Sequence, residues 1–248
     1  MTLDTSAQPD RAALIVGAGD ATGSAVARRF AREGFIACVT RRTADKLSPL
    51  VDDITRAGGR ARGFASDARK EEAVMALVDE IERDIAPIEV LVFNIGANVP
   101  CSILDETAKK YFKIWEMACF SGFLVGREVA RRMVARGRGT IIFTGATAGL
   151  RGSANFAAFA GAKHALRALA QSMARELGPK NIHVAHVVVD GAIDSAFIRD
   201  NMPDRYALRE QGGIVNPDHI AENYWHLFSQ PRDAWTHELD LRPWMERW

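Results

Sequence analysis

Short runs of β-branched and other apolar residues alternate along this chain with longer stretches whose apolar positions recur three or four apart. AALIV at residues 12–16 has the pattern of a buried strand, and TGSAVARRFAREG at 22–34 that of a helix ending at a glycine. The alternation then repeats. FIACVT (35–40) is a strand with a helical stretch to residue 57, ARGFAS (61–66) a third strand, and KEEAVMALVDEIERD (70–84) an amphipathic helix. IEVLVFN (88–94) is the fourth strand, followed by a long predicted helix over 105–136 and the strand GTIIFTG at 139–145. An alanine-rich helix over 153–177, the strand IHVAHVVV (182–189) and a short strand in HELDL (237–241) complete the series.

Apolar strands separated by single helices imply parallel pairing, because a right-handed crossover needs a helix-length connection. Helices on both faces of the sheet then explain strands that are apolar throughout. The expected fold class is α/β: one doubly wound, Rossmann-like domain over residues 1–248, a parallel sheet with helices on both faces. Residues 1–11 read as a flexible lead-in. In such sheets ligands bind beyond the carboxyl ends of the strands, near the point where strand order reverses.

Composition excludes some partners. Of 248 residues, 32 are basic and 31 acidic, a formal net charge of +1. That balance gives no electrostatic reason to expect nucleic acid or an anionic membrane as partner. The run REVARRMVARGRG (127–139) is arginine-dense, yet Arg127, Arg131 and Arg138 recur near helical spacing, as on a solvated helix face. Cys38, Cys101 and Cys119 have neither paired nor metal-ligand spacing. No apolar segment approaches the roughly 20 residues of a membrane span, and MTLDTSAQPDR lacks the apolar core of a signal peptide. A soluble, cytoplasmic protein is expected.

The strand ends carry the chemistry. After the first strand comes GAGDATG, with Gly17, Gly19, Asp20, Ala21, Thr22 and Gly23 between strand and helix. Such a turn lets backbone approach a pyrophosphate at a helix N-terminus. After the second strand stand Arg41 and Arg42, where an acidic residue would bind the ribose 2′-hydroxyl of NAD. Two guanidinium groups suit a 2′-phosphate instead, so NADP(H) is expected over NAD(H). Asp67, beside Ala68, follows the third strand and would accept from an adenine amine or cap the next helix. Asn94 and Gly96 follow the fourth strand, and Asp190, Gly191, Ile193 and Ser195 the sixth.

With these motifs the chain resembles the short-chain dehydrogenase/reductase family over essentially all of residues 12–241. GAGDATG is similar to the family's Gly-x-x-x-Gly-x-Gly turn, with Ala21 replacing the middle glycine. FNIG (93–96) is similar to its Asn-Asn-Ala-Gly motif, and DGAIDS (190–195) to its Pro-Gly segment with the following Ile-x-Thr. The resemblance implies that Asp67 lies on the adenine side, that Ile193 contacts the nicotinamide amide through its backbone, and that Ser195 contacts polar cofactor groups. It also implies a substrate lid at 196–215, a small-molecule substrate, and a homodimer or homotetramer.

The family's catalytic set is Asn, Ser, Tyr and Lys, and here only the lysine matches, as Lys163. Phe159 occupies the tyrosine position and Ala146 the serine position, while Ala118 or Cys119 stands where the asparagine belongs. Reduction of a carbonyl by hydride leaves an alkoxide that needs a proton, and a positioned acid contributes roughly 10²–10⁴-fold. Phe159 cannot supply it. Thr147, Thr144, Cys119, Asn155 and His164 are candidate replacements, and Asp190 would pair with Lys163 or cap a turn. Three functions follow: an NADP(H)-dependent oxidoreductase of divergent mechanism, a non-redox lyase or isomerase, or a non-catalytic NADP-binding subunit or sensor.

Overall fold

Seven strands pair in parallel in the order β3-β2-β1-β4-β5-β6-β7, in a computed structural model that describes residues 9–247. They are β1 (Ala12–Val16), β2 (Ile36–Arg41), β3 (Arg60–Ala65), β4 (Ile88–Phe93), β5 (Gly139–Thr144), β6 (Ile182–Val189) and β7 (Glu238–Leu241). Most of the predicted lead-in, residues 1–8, and Trp248 lie outside the described residues. The order reverses between β1 and β4, whose carboxyl ends are in register at Val16 and Phe93. A doubly wound Rossmann-like sheet results, with its crevice at that switch point.

Helices cover both faces. Against one lie α1 (Thr22–Arg32), α2 (Ser48–Arg56) and α9 (Pro217–Ser229), through Phe30, Ile54, Tyr224 and Leu227. Against the other lie α3 (Glu71–Asp84), α5 (Ser121–Arg136) and α6 (Ala157–Leu177), through Ile81, Leu124, Val129 and Leu166. Central strands sandwiched this way are buried at every position, as in β1 and β6. The expectation of apolar strands throughout fails at β3, whose residues are half-buried or exposed because it forms the sheet edge.

Two helix boundaries differ from the predicted ones for identifiable reasons. The long helix over 105–136 is three pieces: α4 (Ala108–Trp115), a π-helical turn at Glu116–Phe120, and α5. Its start is set by Thr107, whose hydroxyl accepts from the Lys110 amide. The alanine-rich helix starts at Ala157 rather than 153, because Asn155 has φ +67° and a left-handed residue cannot continue a right-handed helix. The arginine run lies on the surface as read, with Arg131 and Arg138 exposed, and it also forms ion pairs. Arg127, Arg132 and Arg136 pair with Glu71, Asp79 and Glu82 of α3, and Arg138 with Glu89, so the run ties two helices together.

Candidate active site at the carboxyl ends of the sheet

The glycine turn after β1 is fixed by contacts that only glycine tolerates. Gly17 has φ +91°, and a Cβ there would lie 2.9 Å from the Asn94 carbonyl oxygen. At Gly23 a Cβ would sit 2.6 Å from the Gly17 oxygen. Asn94 closes the turn by donating from Nδ2 to that same oxygen at 3.1 Å. By contrast, a Cβ at Gly19 or Gly96 would meet nothing within 4 Å, so both face open space. Helix α1 begins at Thr22 after Ala21 at its N-cap, with no side-chain cap and no acid in its first turn, leaving amides directed at that space. Asp20 stands exposed just before it, and the buried Thr22 hydroxyl has no hydrogen-bond partner among the described residues. A phosphate fits this donor set.

A cleft of about 170 Å³ continues from Gly17 past Thr40, Arg41 and Arg42 to Ser66, Asp67, Ala68 and Arg69, with Ile95 and Met117 at its inner end. Arg41 is half-buried and Arg42 exposed. Asp67 does not cap α3. Its carboxylate accepts from Arg69 Nε and Nη2 at 2.9 and 2.6 Å, and this pairing lowers its pKa to about 2. Arg69 also reaches Glu116 of the π-helical turn at 3.5 Å. Sequence reasoning missed Arg69, although its position two residues from Asp67 was the available signal. Ser66 Oγ is buried without a partner among the described residues.

Lys163 lies at the carboxyl ends of β4 and β5, only 3% exposed. Its Nζ donates to the Ile95 and Thr144 carbonyl oxygens at 3.1 and 2.8 Å, and its partners include no carboxylate. Burial lowers its pKa to about 8. One turn earlier, Phe159 holds its ring centroid 5.9 Å from Nζ. Phe159, Ala118 and Cys119 belong to one buried apolar cluster with Ile114 and Ala162, and half-buried Ala146, Trp115 and Met117 pack against it. The three positions at which the resemblance would place Asn, Ser and Tyr are thus in apolar packing with one another. Desolvation pushes the Cys119 thiol up in pKa, which keeps it a neutral thiol.

Several predicted candidates have other partners. Asp190, 3% exposed, neither pairs with Lys163 nor caps a turn. It accepts from the Thr147 hydroxyl at 2.5 Å and lies 3.6 Å from Arg242 of the C-terminal segment. Thr147 is thus committed to a carboxylate, and Thr144 to Tyr224, their hydroxyls 2.8 Å apart. Asn155 does not cap α6; its carbonyl accepts from the Cys101 amide, and the cap position is Phe156. His164 is turned to the Ala160 carbonyl within its own helix. Trp115 stacks between Phe112 and Phe120.

The loop after β6 places Gly191 at φ +149°, with Pro243 packed where a side chain would be. Ile193 pairs with Val215, and the Ser195 hydroxyl caps α7 (Ala196–Asn201) by accepting from the Ile198 amide. Beyond it, α8 (Pro203–Tyr206) and a short turn lead to Gly212, with Phe197 57% and Met202 42% exposed. A larger cavity, about 620 Å³, lies between this segment, α9 and the C-terminal residues, lined by Asp194, Arg209, Val215, His219 and Pro243 among others. Lys163, Phe159 and Ala146 are not part of its wall, so size alone does not mark the chemistry.

A family model described as short chain dehydrogenase matches residues 11–205. The chain belongs to the short-chain dehydrogenase family. Among its curated relatives, the 7alpha-hydroxysteroid dehydrogenase of Escherichia coli (strain K12) is 31% identical over 233 residues, covering 91% of this chain and 89% of that protein. Short-chain reductase protein NovJ of Streptomyces niveus is 31% identical over 211 residues, 85% of this chain and 78% of that one. A solved short-chain dehydrogenase from Rhodopseudomonas palustris is 47% identical with a TM-score of 0.80, covering 94% of this chain and 99% of the other. A metagenomic short-chain oxidoreductase solved in complex with NADP is 25% identical at a TM-score of 0.80, over 94% and 97% of the two chains. Among the described residues no helix is long and apolar enough to cross a membrane.

Proposed function

We propose that this short-chain dehydrogenase family member is an NADP(H)-dependent oxidoreductase acting on a small molecule, with Lys163 as the one group retained from the family's catalytic set. The observation that carries this reading is the cleft running from the glycine turn to Arg41 and Arg42. It offers a phosphate-sized opening at the α1 N-terminus, and cationic side chains where a 2′-phosphate would distinguish NADP from NAD. When bound, the nicotinamide supplies or accepts the hydride. The chain's own part is positional: Gly17 and Gly23 hold the turn open, Arg41 and Arg42 bind the charged end, and Lys163 takes the ribose side. Gly191, Ile193 and Ser195 form the nicotinamide-side wall, and residues 196–215 act as a lid. The complex of the metagenomic relative with NADP supports the cofactor choice. We place the protein in the cytoplasm as a homodimer or homotetramer.

The apolar cluster around Phe159 favours a second reading, a non-catalytic NADP-binding subunit or sensor. Both readings are tested first by fluorescence titration with NADPH and with NADH. Saturable NADPH binding, weakened at least about tenfold in an Arg41→Ala, Arg42→Ala variant by loss of charge-assisted contacts, is the expected result. Absence of binding by either nucleotide would overturn both readings.

A further inference from the structure

Within the apolar cluster, Lys163 is the one side chain that combines a strong nucleophilic atom with partners that leave it free to act. Its Nζ has two acceptors, the carbonyls of Ile95 and Thr144. A neutral amine has two hydrogens, which those carbonyls match, and one lone pair, which they leave over. An ammonium would bring a third hydrogen, for which the described residues offer no acceptor. The Phe159 ring centroid lies 5.9 Å from Nζ, and the buried Cys119 thiol is its electrostatic neighbour.

We infer that Lys163 is also an amine nucleophile, which in the nucleotide-free protein captures small aldehydes or ketones as imines. A desolvated lysine in an apolar pocket is the arrangement that activates an amine for such chemistry. The nitrogen lone pair forms a bond to the carbonyl carbon as the C–O π electrons move to oxygen. The resulting carbinolamine then loses that oxygen, with the two hydrogens of the amine, as water. Neither oxidant nor reductant is required. The cleft reaches Ile95, whose carbonyl oxygen is one of the two acceptors of the amine at 3.1 Å, so the amine lies one residue behind the cleft wall.

The charges around the amine are consistent with this use. Burial lowers its pKa to about 8. The titratable groups facing it are Cys119 from the π-helical turn and His186 from β6, and burial holds both in their neutral forms near neutrality. At pH 7 the neutral fraction of such an amine exceeds that of an exposed lysine by about 10².

This activity goes beyond the proposed oxidoreductase reading and needs no nucleotide. It is tested on the wild-type chain with propanal and sodium cyanoborohydride, which converts a lysine imine into a stable propylamine that peptide mass spectrometry locates. The expected result is propylation of Lys163 at least about tenfold faster than of exposed Lys46, Lys109, Lys113 and Lys180. Its rate should rise to a plateau through about pH 8, and saturating NADPH should slow it. Labelling of Lys163 no faster than of the exposed lysines, in a protein that labels fully once unfolded, would overturn the inference. The NADPH titration is read separately. Binding without propylation removes this inference alone, and propylation without binding removes the cofactor reading alone.

Discussion

Asp190 is the residue whose neighbours most change the picture of the site. A carboxylate that is 3% exposed is tolerated only when paired and hydrogen-bonded, and here Thr147 and Arg242 do that work from two different segments. Thr147→Val should therefore destabilise the fold by about 1–3 kcal/mol, through an acceptor left unsatisfied. The midpoint of urea denaturation measures this, and Thr147→Ser should retain wild-type stability. Phe159 and Ala146, the positions proposed for proton transfer, lend themselves to the opposite experiment. Phe159→Tyr with Ala146→Ser supplies an acid and a hydroxyl there, and on the proposed reading ketone reduction with NADPH should rise by roughly 10²–10⁴-fold. A broad ketone panel showing no gain would count against Lys163 and the cleft being placed for hydride chemistry.

Among the elements, β5 and β6 depend on a single small residue. Gly145 follows β5, and a Cβ there would lie 2.5 and 2.6 Å from Nε2 and Cε1 of His186 on β6. That ring cannot easily yield, because its Nδ1 donates to Glu238 of β7 at 3.0 Å and Glu238 is itself bound by Arg167 of α6. Gly145→Ala should cost about 1–3 kcal/mol by overpacking. The cost should largely vanish in a His186→Ala background, which a double-mutant cycle measures directly. Nothing in TGATAG announces this contact, because the histidine comes from a strand some forty residues on. The helices tell a similar story. Apolar spacing marked one helix over 105–136 and another to residue 177 but carried no mark of the π-helical turn, since one extra residue in a turn alters phase without altering composition.

For the whole molecule, buried histidines set the acid limit of stability. His186 has its pKa lowered to about 4 by burial, and that of His183 is lowered for the same first reason. Between about pH 4 and the ordinary value of 6.5 the unfolded chain binds more protons, so this stability is complete above 6.5 and is lost as pH falls. For His186 alone the loss is on the order of 3 kcal/mol. The melting temperature should accordingly drop between about pH 7 and pH 5, and His186→Gln should flatten the drop. The parallel sheet was legible in the alternation of apolar runs, because burial of both strand faces is a local signal, whereas the strand order and its switch point came only with the structure. The candidate residues from Gly17 to Asn94 were nominated because they follow strands, and Lys163, inside α6, only because the resemblance places the family's lysine there. Partners such as Arg69 for Asp67 and Thr147 for Asp190 depend on side-chain direction, which spacing does not encode.

The last described residues have a practical bearing. Pro243 fills the space over Gly191, Trp244 Nε1 donates to the Gln211 carbonyl, and Arg242 approaches Asp190, so the tail fastens the loop after β6 to the segment before α9. An affinity tag fused at the carboxyl end, or a carboxypeptidase that trims past Pro243, would loosen the loop after β6 and open the larger cavity that Arg242 and Pro243 help to line. Purification through the amino end leaves that fastening intact.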